Sequence, residues 1–320
     1  MTLTVIGAGA FGTGLAIALS ANGPLCLWGR DAAAMRDMQH SRENRARLPG
    51  CPLPAQITAS GDIADLDRAG PALVVVPMQK MRDFLHSHRD ALGDKTLIAC
   101  CKGIELSTGL GPIEVINDVL PKAQAMILTG PSFAADIARG LPTALTLACA
   151  DSAAGHSLQQ RLSTPSLRIY RTQDTVGAQL GGAVKNVIAI ACGAVMGAGL
   201  GESARAAIMT RGYAEMQRLA ARLGGDPSTL AGLCGLGDLA LTCTSEQSRN
   251  YRLGVSMGQG VPFDPAVTVE GAATALAIHA MAGRLDLDLP ITSVVAGLLE
   301  KRLDMKSAMT TLLSRPLKEE

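Results

Sequence analysis

The chain has 320 residues, 48% of them hydrophobic and 18% charged, with a formal net charge of +1. That length suits two domains, and that composition describes a globular chain rather than a disordered one. The near-zero charge gives no global attraction to nucleic acid or an anionic membrane, and aromatic residues at 2% leave few rings for base stacking.

Residues 1–29 carry no acidic or basic side chain, and Ala18-Leu19-Ser20-Ala21 mimics a signal-peptidase site. A signal peptide needs a positive leading segment, whereas the first basic residue is Arg30 and six glycines precede it. The longest apolar stretch elsewhere, 186–201, is glycine-rich and too short to span a bilayer. Cysteines at 26, 51, 100, 101, 149, 192, 234 and 243 make no C-x-x-C pair, and several lie in apolar runs. They read as reduced core residues of a cytoplasmic protein, with no disulfide framework and no metal site; a redox-sensing pair at Cys100–Cys101 is the alternative.

In chain order, short β-like runs at 3–6, 25–28, 72–76, 96–100, 125–128, 144–149 and 167–170 alternate with helical patterns, which predicts a parallel α/β sheet. Asn22-Gly23-Pro24 stops the first helix. From Asp174 onward the pattern is helical, which places a domain boundary there.

Gly7-Ala8-Gly9-Ala10-Phe11-Gly12 follows the first strand and opens an apolar helix. In that setting G-x-G-x-x-G is a dinucleotide fingerprint: Gly7 permits the tight turn, Gly9 lets backbone approach a diphosphate, and Gly12 lets helix and strand pack closely. The predicted fold is therefore α/β, with a Rossmann-like dinucleotide-binding domain over 1–174 and an all-helical substrate and catalytic domain over 175–320. Where an NAD-selective fold carries an acid at the end of the second strand, this chain has Arg30, suited to a 2′-phosphate. Asp31 precedes three alanines and reads as a helix cap. NADPH is thus expected to serve at least as well as NADH.

Lys102-Gly103 and Gly130-Pro131-Ser132-Phe133-Ala134 follow apparent strands, where ligands of open α/β sheets bind. Lys185-Asn186 stands in an otherwise apolar helix, beside Gly181 and Gly182, which leave room for something to approach the lysine. Burial disfavours the ammonium form, so Lys185 is a candidate general base. Asp238 could orient it. Thr244-x-x-Gln247 matches a capping box, which predicts a helix start at Thr244 and puts Ser248, Arg249 and Asn250 near an anion-binding helix terminus. A surface loop, a solvated arginine or a snorkelling lysine remains the plain alternative at each place.

With these motifs in order, joined by Gly140-Leu141-Pro142-Thr143, Thr210-Arg211-Gly212 and Val269-Glu270-Gly271, the chain resembles the bacterial-type NAD(P)-dependent glycerol-3-phosphate dehydrogenases over almost its full length. The resemblance implies reversible reduction of dihydroxyacetone phosphate to sn-glycerol 3-phosphate by NADPH or NADH, for glycerophospholipid synthesis. It implies Lys185 and Asp238 as catalytic groups, with Lys102, Gly130, Ser132, Lys185, Asp238, Ser248, Arg249 and Asn250 contacting substrate. Gly7, Gly9, Phe11, Gly12, Arg30, Lys102, Ala134, Arg249 and Glu270 would contact the cofactor. The partner is then a small phosphorylated molecule, with no nucleic acid and no membrane span; a homodimer is the candidate assembly. The family usually reads Asp-Asn at Glu202-Ser203 and Ala at Cys234. A β-hydroxyacid or ketopantoate reductase would share fingerprint and lysine without the phosphate clamp, and a dinucleotide sensor would not need the lysine.

Overall fold

The computed structural model describes residues 2–66 and 70–314. It comprises two compact units, Met1–Lys102 with Gly111–Gln179, and Gly103–Leu110 with Leu180–Glu320.

The first unit is built on an eight-stranded sheet in the order β3-β2-β1-β4-β5-β6-β7-β8. The strands are β1 Leu3–Ile6, β2 Leu25–Trp28, β3 Ile57–Ser60, β4 Ala72–Val74, β5 Thr96–Ala99, β6 Gln124–Thr129, β7 Thr143–Ala148 and β8 Leu167–Thr172. Residues buried on both faces explain their apolar runs: all of β1, β2 and β4 is buried. The uncharged opening stretch is accounted for in the same way, since β1, the Ala10–Leu19 helix and β2 supply Val5, Leu15, Leu19 and Leu27 to the core. From β1 the chain goes to β2 on one side, then returns to β4 on the other, so the sheet's switch point lies beside β1.

Two features depart from the expected sheet. β3 was not foreseen, and β7 runs antiparallel to β6 while the other pairs are parallel. The five-residue helix between β6 and β7, Ala134–Ala138, spans only about 7 Å at the usual rise, against about 20 Å for a six-residue strand. It cannot carry the chain back for a parallel return.

The second unit has no strand among its described residues. Its helices include Thr175–Gly197, which begins in the first unit, then Gly201–Arg222, Asp238–Cys243, Arg249–Gln259, Glu270–Leu285, Pro290–Leu299 and Met305–Leu313. Thr175–Gly197 has the length and hydropathy to cross a bilayer, longer than the apolar run read from sequence, but 89% of its most apolar window is buried in protein. It is a core helix. It meets Arg249–Gln259 through interleaved glycines: a Cβ on Gly193 would lie 2.0 Å from the Tyr251 carbonyl oxygen, and one on Gly254 2.0 Å from that of Ile190. Gly197 and Gly258 repeat the contact one turn on, each at 2.2 Å from a carbonyl oxygen of the other helix. Backbone touches backbone along this seam.

Glu215, 1% exposed, caps the Pro290–Leu299 helix. Its carboxylate accepts from the Ile291 N–H at 2.6 Å, the Thr292 N–H at 3.1 Å and the Thr292 hydroxyl at 2.9 Å. Burial nevertheless pushes its carboxyl above the usual range, against the pull of those bonds. All eight cysteines are buried and unbridged. Glu202 pairs with Arg205 in the first turn of its helix.

Candidate active site

The glycine-rich turn lies at the switch point. Gly7 has φ +117 and donates to the Trp28 carbonyl at 2.8 Å; a Cβ there would lie 2.5 Å from the Val75 carbonyl oxygen. A Cβ on Gly12 would lie 1.9 Å from the Gly7 oxygen, whereas one on Gly9 would meet nothing within 4 Å. The outer glycines are thus needed for packing, and the middle one borders open space. Gly9 also caps the Ala10–Leu19 helix without a side-chain acceptor. First-turn N–H groups that have no partner within the helix, next to open space at Gly9, suit a dinucleotide diphosphate. Phe11 packs on the core, and the Ala134 carbonyl oxygen would lie 2.7 Å from a Cβ on Gly14.

Past β2, Asp31 Oδ1 accepts from the Ala33 and Ala34 N–H groups at 3.0 Å each. Its capping role is real, and it leaves Arg30 exposed at the strand end. The loops after β5 and β6 meet at one atom. The Gly130 carbonyl accepts from Lys102 Nζ at 2.8 Å and from Ser132 Oγ at 3.2 Å.

In the second unit Lys185 is 6% exposed and Asp238 1%. Lys185 Nζ donates to Asp238 Oδ1 at 2.8 Å and to Thr242 Oγ1 at 2.7 Å, and the Thr242 hydroxyl lies 3.3 Å from Asp238 Oδ1. A buried ammonium requires such pairing. Thr242 is the partner the sequence reading missed; its place one helical turn after Asp238 was the available signal. The space at Gly181 is taken by the chain itself, since a Cβ there would lie 2.4 Å from the Cys234 carbonyl oxygen. That close approach brings in the turn leading to Asp238. Burial pushes the neighbouring Cys243 thiol well up, so it stays protonated.

The helix expected at Thr244 begins later. Thr244 Oγ1 donates back to the Ala240 carbonyl at 2.7 Å, closing the Asp238–Cys243 helix. The next cap is Ser248, whose Oγ accepts from the Tyr251 N–H at 3.2 Å. Ser248 and the exposed Arg249 therefore stand at the very start of Arg249–Gln259, closer to its unpaired N–H groups than the capping-box reading put them. Asn250 is committed inside the protein: its Nδ2 donates to Asn186 Oδ1 at 2.9 Å and its Oδ1 accepts from the Gly271 N–H at 2.9 Å. Glu270 opens the helix at that junction.

A doubly wound sheet with an open glycine turn, and a helical unit holding a carboxylate-paired buried lysine, define a nicotinamide-dependent oxidoreductase. The sequence matches two family descriptions, NAD-dependent glycerol-3-phosphate dehydrogenase N-terminus over residues 2–155 and C-terminus over 174–310. The chain belongs to this glycerol-3-phosphate dehydrogenase family. It is 59% identical over 320 residues to proteins of Roseobacter denitrificans and Ruegeria sp., both named glycerol-3-phosphate dehydrogenase (NAD(P)+), with 100% of each chain covered. The crystal structure of glycerol-3-phosphate dehydrogenase from Coxiella burnetii is similar at TM-score 0.92 and 35% identity, covering 98% of this chain and 99% of that one.

Proposed function

We propose that this protein reduces dihydroxyacetone phosphate reversibly to sn-glycerol 3-phosphate with NADPH or NADH, supplying glycerophospholipid synthesis in the cytoplasm. Residues 1–174 would bind the dinucleotide through Gly7, Gly9, Phe11, Gly12, Arg30, Lys102 and Ala134. Residues 175–320 would bind substrate and move the proton, with Arg249 and Glu270 also reaching the cofactor. The observation that carries the reading is the buried Lys185–Asp238–Thr242 cluster in the same unit as the Ser248–Arg249 helix start.

When bound, the reduced nicotinamide supplies a hydride to the substrate carbonyl carbon. Lys185, held as an ammonium by Asp238, gives its proton to the alkoxide oxygen that develops at C2. In the reverse direction neutral Lys185 takes that proton from the alcohol. A positioned acid or base of this kind contributes roughly 10²–10⁴-fold. Asp238 stabilises the charged lysine, and Thr242 fixes its direction. Arg249 offers a charge-assisted fork to the substrate phosphate, and Ser248, whose oxygen already accepts from Tyr251, can still donate its hydroxyl proton. Lys102, Gly130 and Ser132 are the proposed substrate contacts of the first unit, and Asn250 acts on substrate with whatever donor its internal bonds leave. A homodimer is the proposed assembly, tested by sedimentation velocity.

The deciding experiment follows NADPH oxidation with dihydroxyacetone phosphate, unphosphorylated dihydroxyacetone and ketopantoate. Turnover with the first and little with the others is expected. Turnover with ketopantoate alone overturns the proposal.

A further inference from the structure

Asn44 is buried, 4% exposed, in the irregular stretch between the Ala32–Ser41 helix and β3. Its Nδ2 donates to the Ala8 carbonyl at 3.0 Å and to Thr13 Oγ1 at 2.7 Å. A carbonyl oxygen can only accept, so the partner fixes the amide's orientation, and both Nδ2 hydrogens are used. The stretch itself is anchored. The Asn44 carbonyl accepts from the Leu48 N–H at 2.8 Å, the Gly50 N–H donates to Glu43 Oε1 at 2.7 Å, and the Leu53 N–H donates to the Arg42 carbonyl at 2.8 Å.

The peptide joining Ala8 to Gly9 is trans and planar, so its C=O and N–H point in opposite directions. With the Ala8 oxygen drawn to Asn44, the Gly9 N–H is turned away from it. Gly9 is exposed, bordered by open space, and its N–H has no acceptor among the described residues. A hydrogen bond to one end of a peptide also polarises the other, making the N–H a better donor. Without that bond the peptide can rotate and present its carbonyl oxygen to an anion.

We propose that Asn44 is a positioning residue for dinucleotide binding: by holding the Ala8 carbonyl, it aims the Gly9 N–H at the diphosphate. Thr13, in the second turn of the following helix, is held by the same amide, so turn and helix start are set together. This inference rests on the dinucleotide reading above.

The test uses the full chain with Asn44→Asp, close in shape but unable to donate as a carboxylate, and Asn44→Ala, which removes the donor without adding charge. Dissociation constants for NADH and ADP-ribose are expected to rise about tenfold in Asn44→Asp and several-fold in Asn44→Ala. The loss should fall on KM for NADH, with kcat at saturating NADH and KM for dihydroxyacetone phosphate holding. Wild-type protein supplies a measurement that needs no variant: in ¹⁵N spectra, the Gly9 amide should shift on titration with ADP-ribose. Unchanged affinities in folded variants, a loss confined to kcat, or a silent Gly9 amide would overturn the role of Asn44. A wild type that fails to bind NADH would overturn the dinucleotide reading instead.

Discussion

Asn250 Nδ2 lies 2.9 Å from Asn186 Oδ1, so the residue beside Arg249 is tied to the residue beside Lys185. Its other end receives the Gly271 N–H, and one amide thereby joins three helices. Asn250→Ala should remove the bond to Asn186, take away the acceptor of the Gly271 N–H and cost about 1–3 kcal/mol of stability, while Arg249→Ala, one residue earlier and exposed, should stay within about 0.5 kcal/mol. Urea unfolding of the two variants checks the contrast. Equal stabilities would show that the bridge contributes nothing.

Lys185→Ala should lower kcat by at least roughly 10²-fold while NADH affinity stays near that of wild type, because the proposed proton donor is lost and the glycine turn is untouched. The variant also leaves Asp238 as a buried charge without its ammonium, which costs stability. NADH binding by fluorescence is therefore measured alongside turnover, to separate lost chemistry from lost fold. Retention of more than a tenth of wild-type kcat would refute the assignment.

Arg249→Ala should reduce the preference for dihydroxyacetone phosphate over dihydroxyacetone, since a charge-assisted contact to phosphate is stronger than a neutral one. The measurement is kcat/KM for both substrates. An unchanged ratio would place the phosphate clamp elsewhere, and a parallel loss of NADPH affinity would assign the arginine chiefly to the cofactor.

Arg30→Ala should shift the kcat/KM ratio of NADPH to NADH toward NADH by about 5- to 30-fold. Exposed charge contacts are individually modest, so a preference of this order is expected rather than exclusion. The adjacent Asp31 carboxylate is engaged in capping the Ala32–Ser41 helix through the Ala33 and Ala34 N–H groups. A ratio that does not move would reduce Arg30 to a surface charge.

Glu215 predicts a pH dependence of stability. Burial raises its carboxyl pKa in the folded state, so the folded protein binds the proton more tightly than the unfolded chain. Across the window from the ordinary glutamate value up to the raised one, stability should fall as pH rises. Below that window both states are protonated, and the contribution is flat. Glu215→Ala should abolish this component and cost about 2–4 kcal/mol by leaving the Ile291 and Thr292 N–H groups without their acceptor. Denaturation across pH in wild type and variant measures both; a wild type whose stability climbs through that window relative to the variant contradicts the sign.

The sheet was largely legible because strands buried on both faces write themselves as apolar runs, as β1, β2 and β5 do. β3 was not, since Ile57–Ser60 buries only alternate positions after a proline-rich approach. The fingerprint turn and the burial of Lys185 were legible from the local sequence, but the space expected beside the lysine at Gly181 is filled by the Cys234 backbone. Thr244 was misread because a hydroxyl can cap the helix ahead or donate back into the helix behind, and here it does the latter. Asn44 carried no local signal: its partners, Ala8 and Thr13, lie far back along the chain, and the fold alone brings them together.

The glycine seam acts as a fixed caliper. Lys185 stands on one of its helices, and Ser248 caps the other. Side-chain interfaces absorb strain by changing rotamer, but touching backbones have no such freedom. Damage elsewhere in the second unit can lower its stability and still leave the separation of Lys185 and the Ser248 helix start unaltered. A single methyl group on Gly193, Gly197, Gly254 or Gly258 would change that separation directly. On the proposed reading, the span between acid/base and phosphate contact is thus set by parts of the chain that carry no functional group at all.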